Sequence, residues 1–157
     1  MCWSVGVVAC RVSVFRRNGE FIHKWGGKGS EEGQFDVPYG ICVSSEGEVF
    51  IADCKNHRIQ VFDVNGKHIR SWGSEGTGQG QFKYPLAVCV VEDSRCVLVS
   101  DSTNRIQVFT LHGTFIRSWG SEGQDHGQFM DVFGIAASSN GVVYVTDYNN
   151  GRVQVFE

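Results

Sequence analysis

Short apolar runs alternate with polar turns along this chain. In the first complete set the runs are "GICVSS", "EVFIAD", "RIQVFD" and "KHIRSW". Each is rich in β-branched and aromatic residues, and each is the length of a strand rather than a helix. The turns between them carry their own chemistry. Asn18-Gly19 and Asn65-Gly66 lie between the third and fourth runs, with His112-Gly113 in their place once. Asn-Gly suits the two positive φ angles of a type I′ hairpin, so an antiparallel hairpin of that type is expected there. Glu46-Gly47 and Asn140-Gly141 serve the first and second runs in the same way. A glycine-rich polar loop, such as "GSEGTGQGQF", follows the fourth run.

The pattern has a long period. Trp25, Trp72 and Trp119 stand 47 residues apart, and so do Phe35, Phe82 and Phe129, each closing a "GQF". Phe15, Phe62, Phe109 and Phe156 close "RVSVF", "RIQVF", "RIQVF" and "RVQVF" at the same interval. The phrase "IRSWGSEG" occurs at Ile69–Gly76 and at Ile116–Gly123. A small slip near "EDSR" leaves the strand register intact, as an insertion in a turn does. Four hairpin-connected strands per period predict an all-β fold of four-stranded antiparallel propeller blades; a solenoid is the alternative. A blade cannot bury both faces alone, so the recurring Trp and Phe are expected between blades. The 157 residues make about three and a third blades, an open or partial ring. Residues 1–25 read as the end of an incomplete blade. Residues 26–72 and 73–119 read as full repeats, and 120–157 as a repeat without its outer strand. The first ten residues do not match the period and read as a break in it. A fragment of a longer propeller and a half-ring that dimerises are both consistent with this.

The residues also carry a family resemblance. "GQFDVPYGICVSSEGEVFIADCKNHRIQVFD", "GQFKYPLAVCVVEDSRCVLVSDSTNRIQVF" and "GQFMDVFGIAASSNGVVYVTDYNNGRVQVF" resemble the NHL repeat. The "WGSEG…GQF" connectors are similar to those of the C-terminal propellers of tripartite-motif (RING, B-box, coiled-coil) ubiquitin ligases. The resemblance implies a recognition module, for proteins or for RNA, with ligase chemistry residing in a RING. There are departures: Val132 stands where Pro38 and Pro85 do, Ala87 where Gly40 and Gly134 do, and Gly6 where the pattern expects Asp. No RING, B-box or coiled-coil pattern is found in these residues.

Composition changes the picture little. The chain is 41% hydrophobic and 20% charged, with a net charge of −3, which makes no case for nucleic acid or an anionic membrane from bulk charge. No apolar stretch approaches the ~20 residues of a membrane-spanning helix. The six cysteines form no C-x-x-C pair. Cys42 and Cys89 share one repeat position with Ala136, which reads as a small buried side chain. Reduced thiols and a cytoplasmic location are the expectation.

Candidate chemistry divides into what repeats and what varies. Asp53, Asp101 and Asp147 precede Arg58, Arg105 and Arg152 in the three full copies. A pairing present in every blade reads as a structural corner, in which Asp accepts backbone hydrogen bonds and Arg braces it, and not as a catalytic site. The five histidines share no repeat position. Propeller histidines hold a metal in the NHL-containing peptidyl-hydroxyglycine lyases, but His57 and His126 alone do not make a three-ligand site. No catalytic residue, metal or cofactor is expected. The varied loop positions are the candidate binding site: Tyr39, Leu86 and Phe133 at one equivalent position, flanked by Lys83, Tyr84, Met130 and Asp131. Lys55 and His57 in one inner loop, and Tyr148 and Asn149 in another, complete it. Exposed aromatics with polar neighbours suit protein anchoring or base stacking, or they plug the channel mouth. Acidic residues outnumber lysines in these loops, which ranks protein first, single-stranded or hairpin RNA second, and a structural spacer third.

Overall fold

The computed structural model describes residues 1–7 and 9–157. Its described residues form four antiparallel sheets. The first holds β1 (Cys2–Gly6), β2 (Arg11–Phe15) and β3 (Phe21–Gly26); the second holds β4 (Pro38–Val43), β5 (Val49–Asp53), β6 (Arg58–Phe62) and β7 (His68–Trp72). The third holds β8 (Pro85–Val91), β9 (Cys96–Asp101), β10 (Arg105–Thr110) and β11 (Phe115–Trp119). The fourth holds β12 (Val132–Ala137), β13 (Val143–Asp147) and β14 (Arg152–Phe156). In each sheet the strands lie in chain order, as up-and-down connection by hairpins requires. This is the expected propeller-type blade.

The break expected at the N-terminus is corrected. Cys2–Gly6 is a strand, paired with β2 through Trp3 opposite Val14 and Val5 opposite Val12. In the second sheet Phe50 faces Val61 and Ala52 faces Ile59 in the same register. β1 therefore takes the place of a second strand, and the first sheet has no inner strand among its described residues.

The hairpin type is corrected as well. Among the turn residues only the glycines have positive φ: 86° at Gly19, 85° at Gly66 and 87° at Gly113. Gly66 N–H donates to Asp63 O and Asp63 N–H donates to Lys67 O, both at 3.0 Å. The ladder slips between Val61 and Phe62. This is a three-residue loop, a type I turn closed by a glycine bulge, which asks for one left-handed residue rather than two.

The cores lie between sheets. Phe50, Ala52, Ile59 and Val61 on the trailing face of the second sheet meet Phe82 of the connector that follows it and Val88, Val97, Val99 and Phe109 of the third. Val12, Trp3 and Trp25 meet Phe35, Val49, Ile51 and Phe62 one joint earlier, and Leu98, Ile106 and Val108 meet Phe129, Val143 and Val145 one joint later. Each joint repeats an aromatic triad. Phe62 lies between Trp25 (6.0 Å) and Phe35 (5.6 Å), Phe109 between Trp72 (5.9 Å) and Phe82 (5.5 Å), and Phe156 between Trp119 (5.9 Å) and Phe129 (6.1 Å). The inner strands β4, β8 and β12 run side by side. Gly40 makes this approach close: a Cβ there would lie 2.6 Å from Leu86 O. Among the described residues every extensive packing between sheets joins successive ones, and none of it joins the first sheet to the last. The ring is open.

Candidate functional site

One end of the sheets is built from the inter-sheet connectors and the loops between second and third strands, and hydrogen bonds knit the two together. Asp53 is fully buried. Its carboxylate accepts from Asp36 N–H (2.8 Å), Arg58 Nε (2.8 Å), Asn56 Nδ2 (2.9 Å) and Gln60 Nε2 (3.0 Å). Arg58 also donates to Glu31 O and Gln34 O, and so clamps the connector over the corner. Asp147 repeats the arrangement with Met130 N–H (2.7 Å), Arg152 Nε (2.7 Å), Asn150 and Gln154. Burial pushes the Asp147 carboxyl up, but these hydrogen bonds, led by that from Met130 N–H, outweigh it and hold it below its ordinary value. The middle copy differs. Asp101 turns to Thr103, from whose N–H and hydroxyl it accepts, and keeps Arg105.

The third member of this corner was not singled out from the sequence. Gln60, Gln107 and Gln154 are buried in the strands that contain them. Each accepts a connector N–H through Oε1, from Gly33 (3.1 Å), Gly80 (3.0 Å) and Gly127 (2.9 Å). Each donates through Nε2 to a connector carbonyl, Gln34, Gln81 or Gln128, at 2.6 Å. The signal was a polar residue held constant inside an apolar strand.

A second set of links crosses the joints. His57, in left-handed conformation after the 3-10 turn Cys54–Asn56, accepts the Tyr84 N–H on Nδ1 at 3.2 Å, with ring centroids 4.8 Å apart. Asn104 Oδ1 accepts the Asp131 N–H one repeat later at 2.9 Å. Tyr84 and Asp131 are themselves left-handed, at φ 54° and 64°. The varied loop residues are thus held in fixed positions by their neighbours.

The candidate aromatics reach solvent on this end. Tyr39 is 43% exposed, Tyr84 42%, Phe133 47% and Tyr148 68%. Phe133 and Tyr148 meet edge to face at 5.3 Å. Leu86 is half-buried beside the inner strands, whereas Lys55, Lys83 and Asn149 are exposed. Asn149 donates to Asp131 at 2.5 Å. The histidines do not converge. His57 sits against Tyr84, while His126 stacks on Phe156 at 5.4 Å in another joint. Among the described residues no group of three or more His, Cys, Asp or Glu is placed to hold a metal. The six cysteines are free thiols. Burial raises the Cys42, Cys89 and Cys54 thiols, the last to about 11, which makes them poor nucleophiles.

These repeats match known ones. The NHL repeat model matches residues 35–62 and 134–156. Over 39 residues the chain is 49% identical to the human E3 ubiquitin-protein ligase TRIM32, a match covering 25% of this chain and 6% of the ligase. Among solved structures it superimposes on virginiamycin B lyase from Staphylococcus aureus with a TM-score of 0.65 at 15% identity, over 100% of this chain and 55% of the lyase. It superimposes on a chain of a nidogen/laminin complex with a TM-score of 0.68 at 18% identity, over 92% of this chain and 52% of the other. At such identities the likeness speaks for the fold, a β-propeller. The chain spans about half the length of these propeller chains.

Proposed function

We propose that this chain of NHL repeats is a non-catalytic recognition module that holds a protein partner on its loop end, as the substrate- or adaptor-binding part of a ubiquitin-ligase-type protein. The observation that carries the reading is the contrast between repeats. The Asp–Arg–Gln corners are the same or nearly so, with their Asp and Gln buried, while Tyr39, Tyr84, Phe133 and Tyr148 differ from copy to copy and stand 42–68% exposed on a scaffold that fixes them. Rigid aromatic anchors among polar neighbours are the composition of binding hot spots. Lys55, His57, Lys83, Leu86 and Asn149 would supply the polar and apolar surround. The ligase setting rests on the short match to TRIM32. The likeness to a lyase is one of fold and does not bring its chemistry here.

RNA is the second reading, because the same aromatics could stack bases. Glu31, Glu32, Glu75, Glu122 and Asp125 in the connectors oppose phosphate and favour protein. A structural spacer is the third. The test is a pull-down by the chain, with and without ribonuclease, compared with the Tyr39→Ala/Phe133→Ala variant. A protein captured regardless of ribonuclease, and lost in a variant whose melting is unchanged, supports the proposal. Capture abolished by ribonuclease, with binding that falls steeply as salt is added, makes RNA the ligand.

A further inference from the structure

The joint between the second and third sheets has a neighbour in place on either side. At its loop end lies a position that recurs just before the repeat arginine. Cys10, His57, Asn104 and Gly151 occupy it, all left-handed, at φ 45°, 54°, 57° and 60°. These occupants do different things. The Cys10 thiol turns back to Val7 O at 3.6 Å. Asn104 Oδ1 and His57 Nδ1 each reach across a joint and accept a connector N–H, from Asp131 at 2.9 Å and from Tyr84 at 3.2 Å. An amide oxygen accepts at any pH. An imidazole nitrogen accepts only while it carries no proton. His57 is half-buried, so solvent protons reach it. The backbone it holds is strained. Tyr84 sits at φ 54°, a region that a bulky residue keeps only where its surroundings hold it there.

We propose that His57 is a proton-operated latch on the loop end. When neutral it fixes Tyr84 and the adjacent Lys83. When protonated on Nδ1 it turns a donor toward the Tyr84 N–H and releases that segment. Solvent supplies the proton, and one hydrogen bond is lost. The latch regulates the proposed recognition surface, and rests on that reading for its consequence: acid withdraws two of the surface's residues. The groups around the imidazole leave the switch to His57. Lys55 and Arg58 flank it on its own loop, and Arg58 is bound to the buried Asp53. Asp36 of the preceding connector accepts the Lys55 N–H through its backbone oxygen. The following connector lies against the His57 backbone, where a Cβ on Gly73 would stand 2.9 Å from His57 O, and it carries Glu75, Lys83 and Tyr84. Tyr39 stands on β4, which packs beside the turn Cys54–Asn56. Carboxyl, phenol, ammonium and guanidinium groups ordinarily keep one charge state between about pH 5 and pH 8, the window in which imidazole changes. Burial raises the Cys54 thiol to about 11, above that window.

The test is an NMR titration of the intact chain between about pH 8 and pH 5, following the His57 ring protons and the backbone amides. The Tyr84 amide should shift with the same midpoint as the His57 ring. Its exchange protection, taken relative to the intrinsic rate, should fall about fivefold, the scale of one hydrogen bond. The Asp131 amide, held by Asn104, should stay in place. His57→Asn copies the Asn104 arrangement, and asparagine tolerates the left-handed backbone. In that variant the Tyr84 amide should no longer respond to pH. A Tyr84 amide that ignores the protonation of His57 overturns the proposal, and the wild-type chain alone decides this. So does a pH response of that amide that survives in His57→Asn. None of these readouts needs a partner, so the two readings fail separately. A pull-down that captures nothing, on a chain whose Tyr84 amide follows His57, removes the recognition reading and leaves the latch.

Discussion

At the scale of single residues, this fold is held by polar side chains inside apolar strands. Gln60 is fully buried and ties Gly33 N–H and Gln34 O of the connector to Asp53. Replacing it by Leu keeps the volume but leaves Gly33 N–H without its partner and takes one bond each from Gln34 O, which Arg58 still serves, and from Asp53. Each buried group left unpaired costs about 1–3 kcal/mol. The urea midpoint of Gln60→Leu should fall accordingly, with the slope of the transition unchanged. Glu48 sets a pH dependence. Hydrogen bonds from Arg70 at 2.7 and 2.6 Å hold its carboxyl below the ordinary value of 4.5, against a smaller opposing effect of burial. A depressed carboxyl contributes stability above its unfolded pKa and loses it as pH falls through the folded one. Asp147 acts in the same direction. Melting temperature should therefore decline on acidification below about pH 4.5, and Glu48→Gln should make that decline shallower while lowering stability at neutral pH.

At the scale of elements, two glycines in one kind of turn separate backbone strain from steric clash. Gly47 and Gly66 share φ +85°. A Cβ on Gly47 meets only Val64 Cγ1, at 3.4 Å, whereas one on Gly66 would lie 2.5 Å from Trp25 Cδ2. Gly47→Ala should cost roughly 1–2 kcal/mol, the left-handed penalty alone. Gly66→Ala should cost about 1–3 kcal/mol more, because the Trp25 ring must move out of a filled joint. Equal losses in thermal or urea melts would show that the ring yields freely. The strands themselves were legible because "EVFIAD" and "RIQVF" carry both β-branched content and a fixed period. β1 was not, since Gly6 stands where the period has Asp53, and Ser4 where it has Ile51. Nor was the bulged turn, because Asn-Gly serves both turn types and only the pairing decides. The loop-end aromatics were legible by their failure to repeat. The contact of His57 with Tyr84 was not, although the spacing of 27 residues recurs between Asn104 and Asp131.

At the scale of the molecule, the sheets are not equivalent, and the difference lies on one face. Tyr144, Thr146, Val153 and Val155 hold the positions of Phe50, Ala52, Ile59 and Val61. The four residues of the second sheet are fully buried, whereas Tyr144 is 43% exposed, Val153 57% and Val155 47%. The leading face of the first sheet is unlike the faces that cover such residues elsewhere. It presents Cys2, Ser4 and Ser13 where the second sheet has Val49, Ile51 and Gln60. Stacking the last sheet of one copy on the first sheet of another would therefore set valines against serines, a poor substitute for the aromatic joints within the chain. Any self-association through the last sheet should be weak and unspecific, of the kind exposed apolar patches give. Val153→Lys/Val155→Glu replaces two surface side chains that pack on no neighbouring sheet. It should change the folding free energy by no more than about 0.5 kcal/mol per site. It should also reduce binding of a hydrophobic dye and shift light scattering toward the monomer at high concentration. If the variant instead melts much earlier, the face is covered in solution, and an ordered dimer rather than an open end is the state to be explained.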